Sequence, residues 1–412
     1  MSRPALASLA AAALACASAW AGSPRAQAAA PPPHAQAAAP EIADAALTPV
    51  APPRTPLPPE SASAAETSFS FIAYGDTRCD CRMPDGDPAG LPETEPAHRE
   101  VVDAMLAKIG ALASTRYPAR FVVQSGDATY RGADAPRWPV FRAIVERLTI
   151  GANLPFFFVP GNHDAPEGPP GDRSREVGLH NTLTVLSKLL PAEGSPRRLS
   201  GYGTFAFGYG NLFVVGFDSN VAEDPTQLAW VRGQLEGLDR GRYRHVVALF
   251  HHPAYSSGRY SGVATGATLP NGQTASAAPS PQMLAVRALY MPLFRAHHVR
   301  LVLTGHDHLF DHWVERYVDD SGPHRLDQIV SGGGGAPTYL YTGEPDLASY
   351  AAAAGPAARL RIEHAARPSA ALADNPHHFL VVRVDGDRLS VEVVGVRPYA
   401  PYNGRTSLDL ER

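Results

Sequence analysis

Five short apolar runs in this chain each stop abruptly at a polar, titratable cluster: "FSFIAYGDTR", "RFVVQSGDATY", "PFFFVPGNHD", "HVVALFHHP" and "RLVLTGHDH". Each run has the length of a β-strand, and most are nearly unbroken hydrophobes, as suits strands covered on both faces. Between them lie stretches with helical spacing: Val101, Val102, Met105, Leu106 and Ile109, then "WPVFRAIVERL" and "VRALYMPLFRAH". Strands alternating with helices predict an α/β architecture with much parallel sheet. In open sheets of this kind, ligands bind beyond the carboxyl ends of the strands. One such ending is an ordinary turn, since Gly, Asn and Asp are turn formers. Five of them converging at one edge describe a site.

The donors at those endings define the chemistry. Asp76 and Asp127 are hard oxygen ligands, Asn162 offers an amide oxygen, and His251, His306 and His308 offer imidazoles. His306 and His308 are two apart, so an extended chain points both to one side. Carboxylate mixed with imidazole suits zinc, iron or manganese rather than calcium. A pair of such ions can clamp the attacking and leaving oxygens of a phosphoryl transfer. Rival hydrolase patterns are missing: the chain has no H-E-x-x-H, no G-x-S-x-G and no G-x-x-x-x-G-K-[ST].

The ordered set "GD…GD…GNHD…HHP…GHDH", residues 75 to 308, resembles the calcineurin-like metallophosphoesterase superfamily. That resemblance implies a double β-sandwich flanked by helices, with a binuclear metal centre at the sheet edge. Many members carry D-x-H in the first motif, where this chain has Arg78, which cannot ligate a cation. The purple acid phosphatase branch lacks that histidine and uses a tyrosine from its second motif. Tyr130 in "GDATY" stands at that place, and "HHPAYS" is similar to the branch's next motif, with His251 as ligand and His252 beside it.

Carried over, the first ion takes Asp76, Asp127, Tyr130 and His308, and the second takes Asp127, Asn162, His251 and His306. The implied pair is iron with zinc, manganese or a second iron. His163 resembles the residue that protonates the leaving oxygen, with Asp164 fixing its orientation. Arg78 contacts the substrate phosphate, with His252 also facing substrate, or else Arg78 pairs with a carboxylate such as Asp80 or Asp127. The implied reaction is in-line attack on phosphorus by a hydroxide held at the metals. The substrate is a small phosphoester, first a monoester, with a nucleotide or lipid-derived diester as the alternative. A non-catalytic phosphate-binding protein on the same fold is a third reading, favoured by Arg78 alone.

The ends of the chain are of another character. Arg3 and the Ala/Leu-rich stretch to Ala17, followed by "AWA", predict a signal peptide over residues 1–21 and a periplasmic or secreted protein. A lipid anchor at Cys16 ranks below that, and no stretch is long enough for a transmembrane span. Residues 22–66 are rich in Ala and Pro and predict an extended tether, the catalytic domain running over 67–400 and a tail over 401–412. Cys79 and Cys81 are a disulfide or free thiols. A formal net charge of −4 without a basic stripe gives no nucleic-acid surface, and no protein partner is inferred. Asp218 reads as a turn residue, and "VDGDR" as the turn of a closing hairpin. "SGGGG" is an anion nest or a turn where another backbone approaches closely, and the long polar stretch after His252 is a substrate-facing loop.

Overall fold

The computed structural model describes residues 47–78, 95–166, 172–263 and 278–410. The expected signal peptide, Cys16, and the Cys79 and Cys81 pair lie outside the described residues. In chain order the elements are β1 (Ser68–Tyr74), α1 (Pro96–Ala113), β2 (Ala119–Gln124), α2 (Trp138–Glu146), β3 (Phe156–Phe158), α3 (Arg173–Val185), β4 (Arg198–Leu199), β5 (Thr204–Tyr209) and β6 (Leu212–Gly216). They continue with α4 (Pro225–Glu236), β7 (His245–Leu249), α5 (Pro281–Ala285), α6 (Met291–Ala296), β8 (Leu301–Thr304), β9 (Phe310–Asp319) and β10 (Gly322–Ser331). The last are α7 (Ala348–Ala353), β11 (Arg361–Ala366), β12 (His378–Asp385), β13 (Arg388–Gly395) and β14 (Ser407–Leu410).

The strands form two sheets, ordered β14-β13-β12-β1-β2-β3 and β11-β9-β10-β8-β7-β6-β5-β4. Within the first, β1, β2 and β3 run parallel; within the second, β6, β7, β8 and β10 do. The two-residue period of a strand sorts each side chain to a layer. Phe69, Phe71, Phe121 and Phe157 face Phe205, Phe207, Leu301 and Leu303 in one buried cluster between the sheets. Phe121 packs against four rings there: Phe71, Phe157, Phe207 and Tyr209. Each such side chain buried contributes about 1.5–3 kcal/mol.

The alternate residues Ile72, Tyr74 and Val122 point the other way, onto Val101, Val102 and Met105 of α1 and Phe141 and Ile144 of α2. On the second sheet's outer face, Phe213, Val215 and Val302 meet Val231 of α4 and Phe294 of α6. The result is the expected four layers, helices on both outer faces of a double sandwich. Among the described residues no helix is long and apolar enough to cross a membrane.

Two boundaries differ from the sequence reading. The tether expected over 22–66 is already part of the packed unit at its described end, from residue 47. Leu47 and Val50 are buried, and the Val50 amide donates to the Val185 carbonyl at 2.8 Å. Glu60 takes Arg197 by both carboxylate oxygens, at 2.8 and 2.9 Å, and accepts from the Tyr243 hydroxyl at 2.7 Å. Proline-rich chain can buy no core of its own, yet its scattered Leu, Val and Glu bind a surface built by others. The expected tail over 401–412 likewise ends in β14, paired antiparallel to β13, with Tyr402 and Leu410 buried.

Candidate metal centre

The parallel strands of both sheets deliver their polar endings to one place. Asp76 follows β1, Asp127 follows β2 and Asn162 follows β3, all from the first sheet; His251 follows β7 and His306 and His308 follow β8, from the second. The edge expected from a single sheet is therefore the joint rim of two. Three of these residues hold left-handed backbone: φ is 59° at Asp76, 56° at Asp127 and 72° at His306. Such conformations are costly for residues with a Cβ and cluster at functional sites. Here the surrounding bonds enforce them. The Asp76 amide donates to the Gly126 carbonyl at 3.0 Å, and the Gly305 amide to the His251 carbonyl at 3.0 Å. The His306 amide donates to both Asp76 oxygens, at 2.9 and 3.1 Å. Gly161 must be glycine, since a Cβ there would lie 2.2 Å from Asp127 Oδ1.

Four donor atoms converge in a tight set. His251 Nε2 lies 2.9 Å from Asn162 Oδ1 and 3.4 Å from Asp127 Oδ1. His306 Nδ1 lies 3.1 Å from Asn162 Oδ1 and 3.3 Å from His251 Nε2. A tetrahedral ion with bonds of about 2.0–2.1 Å needs donors about 3.4 Å apart. The set fits a metal ion. Asp76, Asp127 and His251 also stand close enough for one ion to reach all three.

Each imidazole is aimed by its other nitrogen or by packing. His251 Nδ1 donates to the Ser125 carbonyl at 2.9 Å and His308 Nδ1 to the Pro337 carbonyl at 2.8 Å, leaving Nε2 of each for the centre. The His306 ring stacks on Tyr260 with centroids 4.1 Å apart. Burial pushes His251 down to about 3. It also holds His306 well below the usual range, helped by His252 and His251. For His308, burial acts together with the Arg78 charge. All three are neutral at pH 7, the form that binds metal. Burial works against the Asp127 charge, but His251, His163 and Arg78 prevail and hold its carboxyl well below the ordinary range. Burial and the Asp127 charge push Asp76 well up, against the opposing pull of the Arg78 charge.

Asp164 has a different role from the one expected. Its carboxylate does not orient the His163 ring; it collects backbone. Oδ2 accepts from the amides of Asp127 at 2.7 Å and Gly161 at 2.9 Å, and Oδ1 from Ala128 at 2.8 Å and Thr129 at 3.2 Å. The tight turns after β2 and β3 leave those amides pointing inward, and one fully buried carboxyl group satisfies them. His163 is oriented by the turn itself: Nδ1 donates to the Tyr130 carbonyl at 2.8 Å.

Arg78 lies inside the centre. Nε donates to Asp127 Oδ2 at 3.0 Å, and Nη2 stands 3.4 Å from His308 Nε2. The pairing with Asp127 weighed from sequence is thus present. Tyr130 makes contacts of another kind: its ring stacks on His163 with centroids 5.3 Å apart and faces the guanidinium groups of Arg78, Arg131 and Arg137. His252 is buried, with Nδ1 2.9 Å from Ser219 Oγ, and shares a donor cluster with His251 and His306.

Sequence reasoning missed Asp307 and Tyr260. Buried Asp307 accepts from the Arg259 amide at 3.0 Å and the Tyr260 amide at 3.3 Å, and also binds the Ser256 hydroxyl. It therefore fixes the start of the polar loop after His252, of which residues 264–277 lie outside the described residues. "SGGGG" is a close-approach turn: a Cβ on Gly334 would lie 2.3 Å from the Gly75 carbonyl oxygen. Asp218 caps a turn, accepting from the Asn220 amide at 2.9 Å.

A family model described as calcineurin-like phosphoesterase matches residues 73–310, more than half of the chain. The chain belongs to the calcineurin-like phosphoesterase family. Among solved structures it is similar to purple acid phosphatase PPD1 from yellow lupin seeds, at 15% identity and a TM-score of 0.53, over 84% of this chain and 54% of that one. This chain thus spans about half the length of the lupin protein. It is also similar to PhoD, at 11% identity and TM-score 0.46, over 87% of this chain and 73% of that one. GAP50 of Plasmodium follows at 13% and 0.43, over 84% and 89%. At 15% identity the likeness to the lupin protein is one of fold.

Proposed function

We propose that the chain is a metal-dependent hydrolase of phosphomonoesters. The observation that carries this is the Asp127, Asn162, His251 and His306 donor set, spaced for an ion beside His163. A bound metal would supply Lewis-acid polarisation of a phosphoryl oxygen and a nucleophile at neutral pH. The chain's own residues do the rest. The Asp127 carboxylate, the Asn162 amide oxygen and the neutral imidazoles of His251 and His306 would hold that ion. The Arg78 guanidinium adds a fixed cation, suited to a phosphate oxygen. His163, with Nδ1–H committed to the Tyr130 carbonyl, carries a proton on Nε2 to the leaving oxygen. Imidazole with carboxylate suits zinc, manganese or iron.

The monoester preference rests on the "GDATY" and "HHPAYS" motifs. Turnover of an aryl phosphate monoester and the matching diester by the metal-loaded full chain tests it: the monoester is hydrolysed faster, and Asp127→Asn loses both activities. A diester hydrolysed faster would reverse the preference, and an Asp127→Asn variant matching the parent on both esters would sink the catalytic reading. The N-terminal motif supports export. Mass spectrometry of the chain made in a Gram-negative host reads this directly: a periplasmic product starting at Gly22 is expected, and an uncleaved cytoplasmic one would refute it.

A further inference from the structure

The family resemblance implies two ions, and the residues here fit only one of them. The half of the centre built from Asp127 Oδ1, Asn162, His251 and His306 has neighbouring donor atoms 2.9 to 3.4 Å apart. In the other half, two of the three expected donors, Asp127 Oδ2 and His308 Nε2, already face a cation. Arg78 Nε lies 3.0 Å from Asp127 Oδ2 and Nη2 lies 3.4 Å from His308 Nε2. An ion there would need those same lone pairs, and would meet a guanidinium of like charge.

The guanidinium is not poised to leave. Arg78 is buried, and it stays charged at any pH proteins tolerate. Its loop is fastened to the turn after β2: the amides of Thr77 and Arg78 both donate to the Asp127 carbonyl, at 3.0 and 3.2 Å. Swinging the side chain out would break its ion pair with a buried carboxylate.

We infer that this centre holds a single metal ion, in the Asp127, Asn162, His251 and His306 set, and that the Arg78 guanidinium replaces the other ion of the family's pair. Arg78 then links Asp127 and His308 through its own Nε and Nη2. Its buried Nη1 has no hydrogen-bond partner among the described residues and is the donor for a phosphoryl oxygen. The inference rests on the metal-dependent reading above, and goes beyond it in stoichiometry and in the role of Arg78.

Metal analysis of the full chain, purified without chelator and then equilibrated with excess zinc, manganese or iron, tests it. The wild type is expected to hold about one ion per chain, and its manganese form to give the resonance spectrum of an isolated ion. His308→Ala keeps that ion and His251→Ala loses it. Arg78→His, which restores the D-x-H of other members, rises to about two ions with spin coupling between them. Two coupled ions in the wild type would overturn this inference alone. So would an ion lost in His308→Ala and kept in His251→Ala, or an Arg78→His variant that stays at one. No ion in the wild type would overturn the metal-dependent reading as well. The wild-type and spectroscopic readings need no variant to fold.

Discussion

Replacing Asp164 by asparagine distinguishes a residue that serves chemistry from one that holds the site's backbone. The carboxylate accepts four amide N–H groups, two on each oxygen, at 2.7 to 3.2 Å. Asparagine keeps one acceptor oxygen and turns an NH2 group toward the other two amides. Burial and the Asp127 charge push the Asp164 carboxyl well up, against the pull of those amides, so the cost is that of stranding buried donors, about 1–3 kcal/mol each. Stranding two predicts a destabilisation of about 2–6 kcal/mol. At about 2 °C per kcal/mol for a domain of this size, the melting temperature falls by about 4–12 °C. Melting is followed by circular dichroism with a chelator present throughout, so that metal affinity does not enter the comparison. A variant melting within about 1 °C of the parent, yet inactive with metal restored, would refute the backbone role and return Asp164 to orienting His163.

Three further outcomes are expected. Tyr130→Phe keeps the ring stacked on His163, so metal content and the visible spectrum stay unchanged; loss of metal or of a visible band would make the phenol a ligand. His163→Asn lowers kcat by about 10²–10⁴-fold, because an amide cannot deliver the proton that Nε2 carries; an unchanged kcat would remove His163 from the proton transfer. Glu60→Gln loosens the N-terminal segment. Burial raises the Glu60 carboxyl, but the bonds from Arg197 and Tyr243 prevail and hold it below 4.5. Its contribution, about 1–2 kcal/mol, is present above that value and lost as pH falls through the depressed one. The gap in denaturant midpoint between Glu60→Gln and the parent should therefore close in acid, and a gap constant with pH would contradict the ion pair.

Much of this arrangement was legible because the physics is local. Apolar runs of strand length ending in Asp, Asn and His announce buried parallel strands with a working rim, and all six donors named from those runs come to one place. What the sequence could not show is long-range. Nothing in "GNHDA" says that Asp164 reaches back to the turn after β2, since backbone amides carry no side-chain signal. Arg78 was visible as a departure from D-x-H, but whether it faced Asp80, Asp127 or substrate depended on where three separate turns placed their atoms. The segment from residue 47 looked like a tether because proline content masks two apolar anchors and one carboxylate. The hydrogen-bond partners of Val50 and Glu60 lie more than a hundred residues away.

The most direct measurement is hydrolysis of an aryl phosphate monoester by the full chain stripped with chelator and then reloaded. Activity absent from the stripped chain and restored by zinc, manganese or iron is the predicted result. Undiminished turnover without metal, or a folded and metal-loaded chain that hydrolyses no phosphoester, would contradict the account.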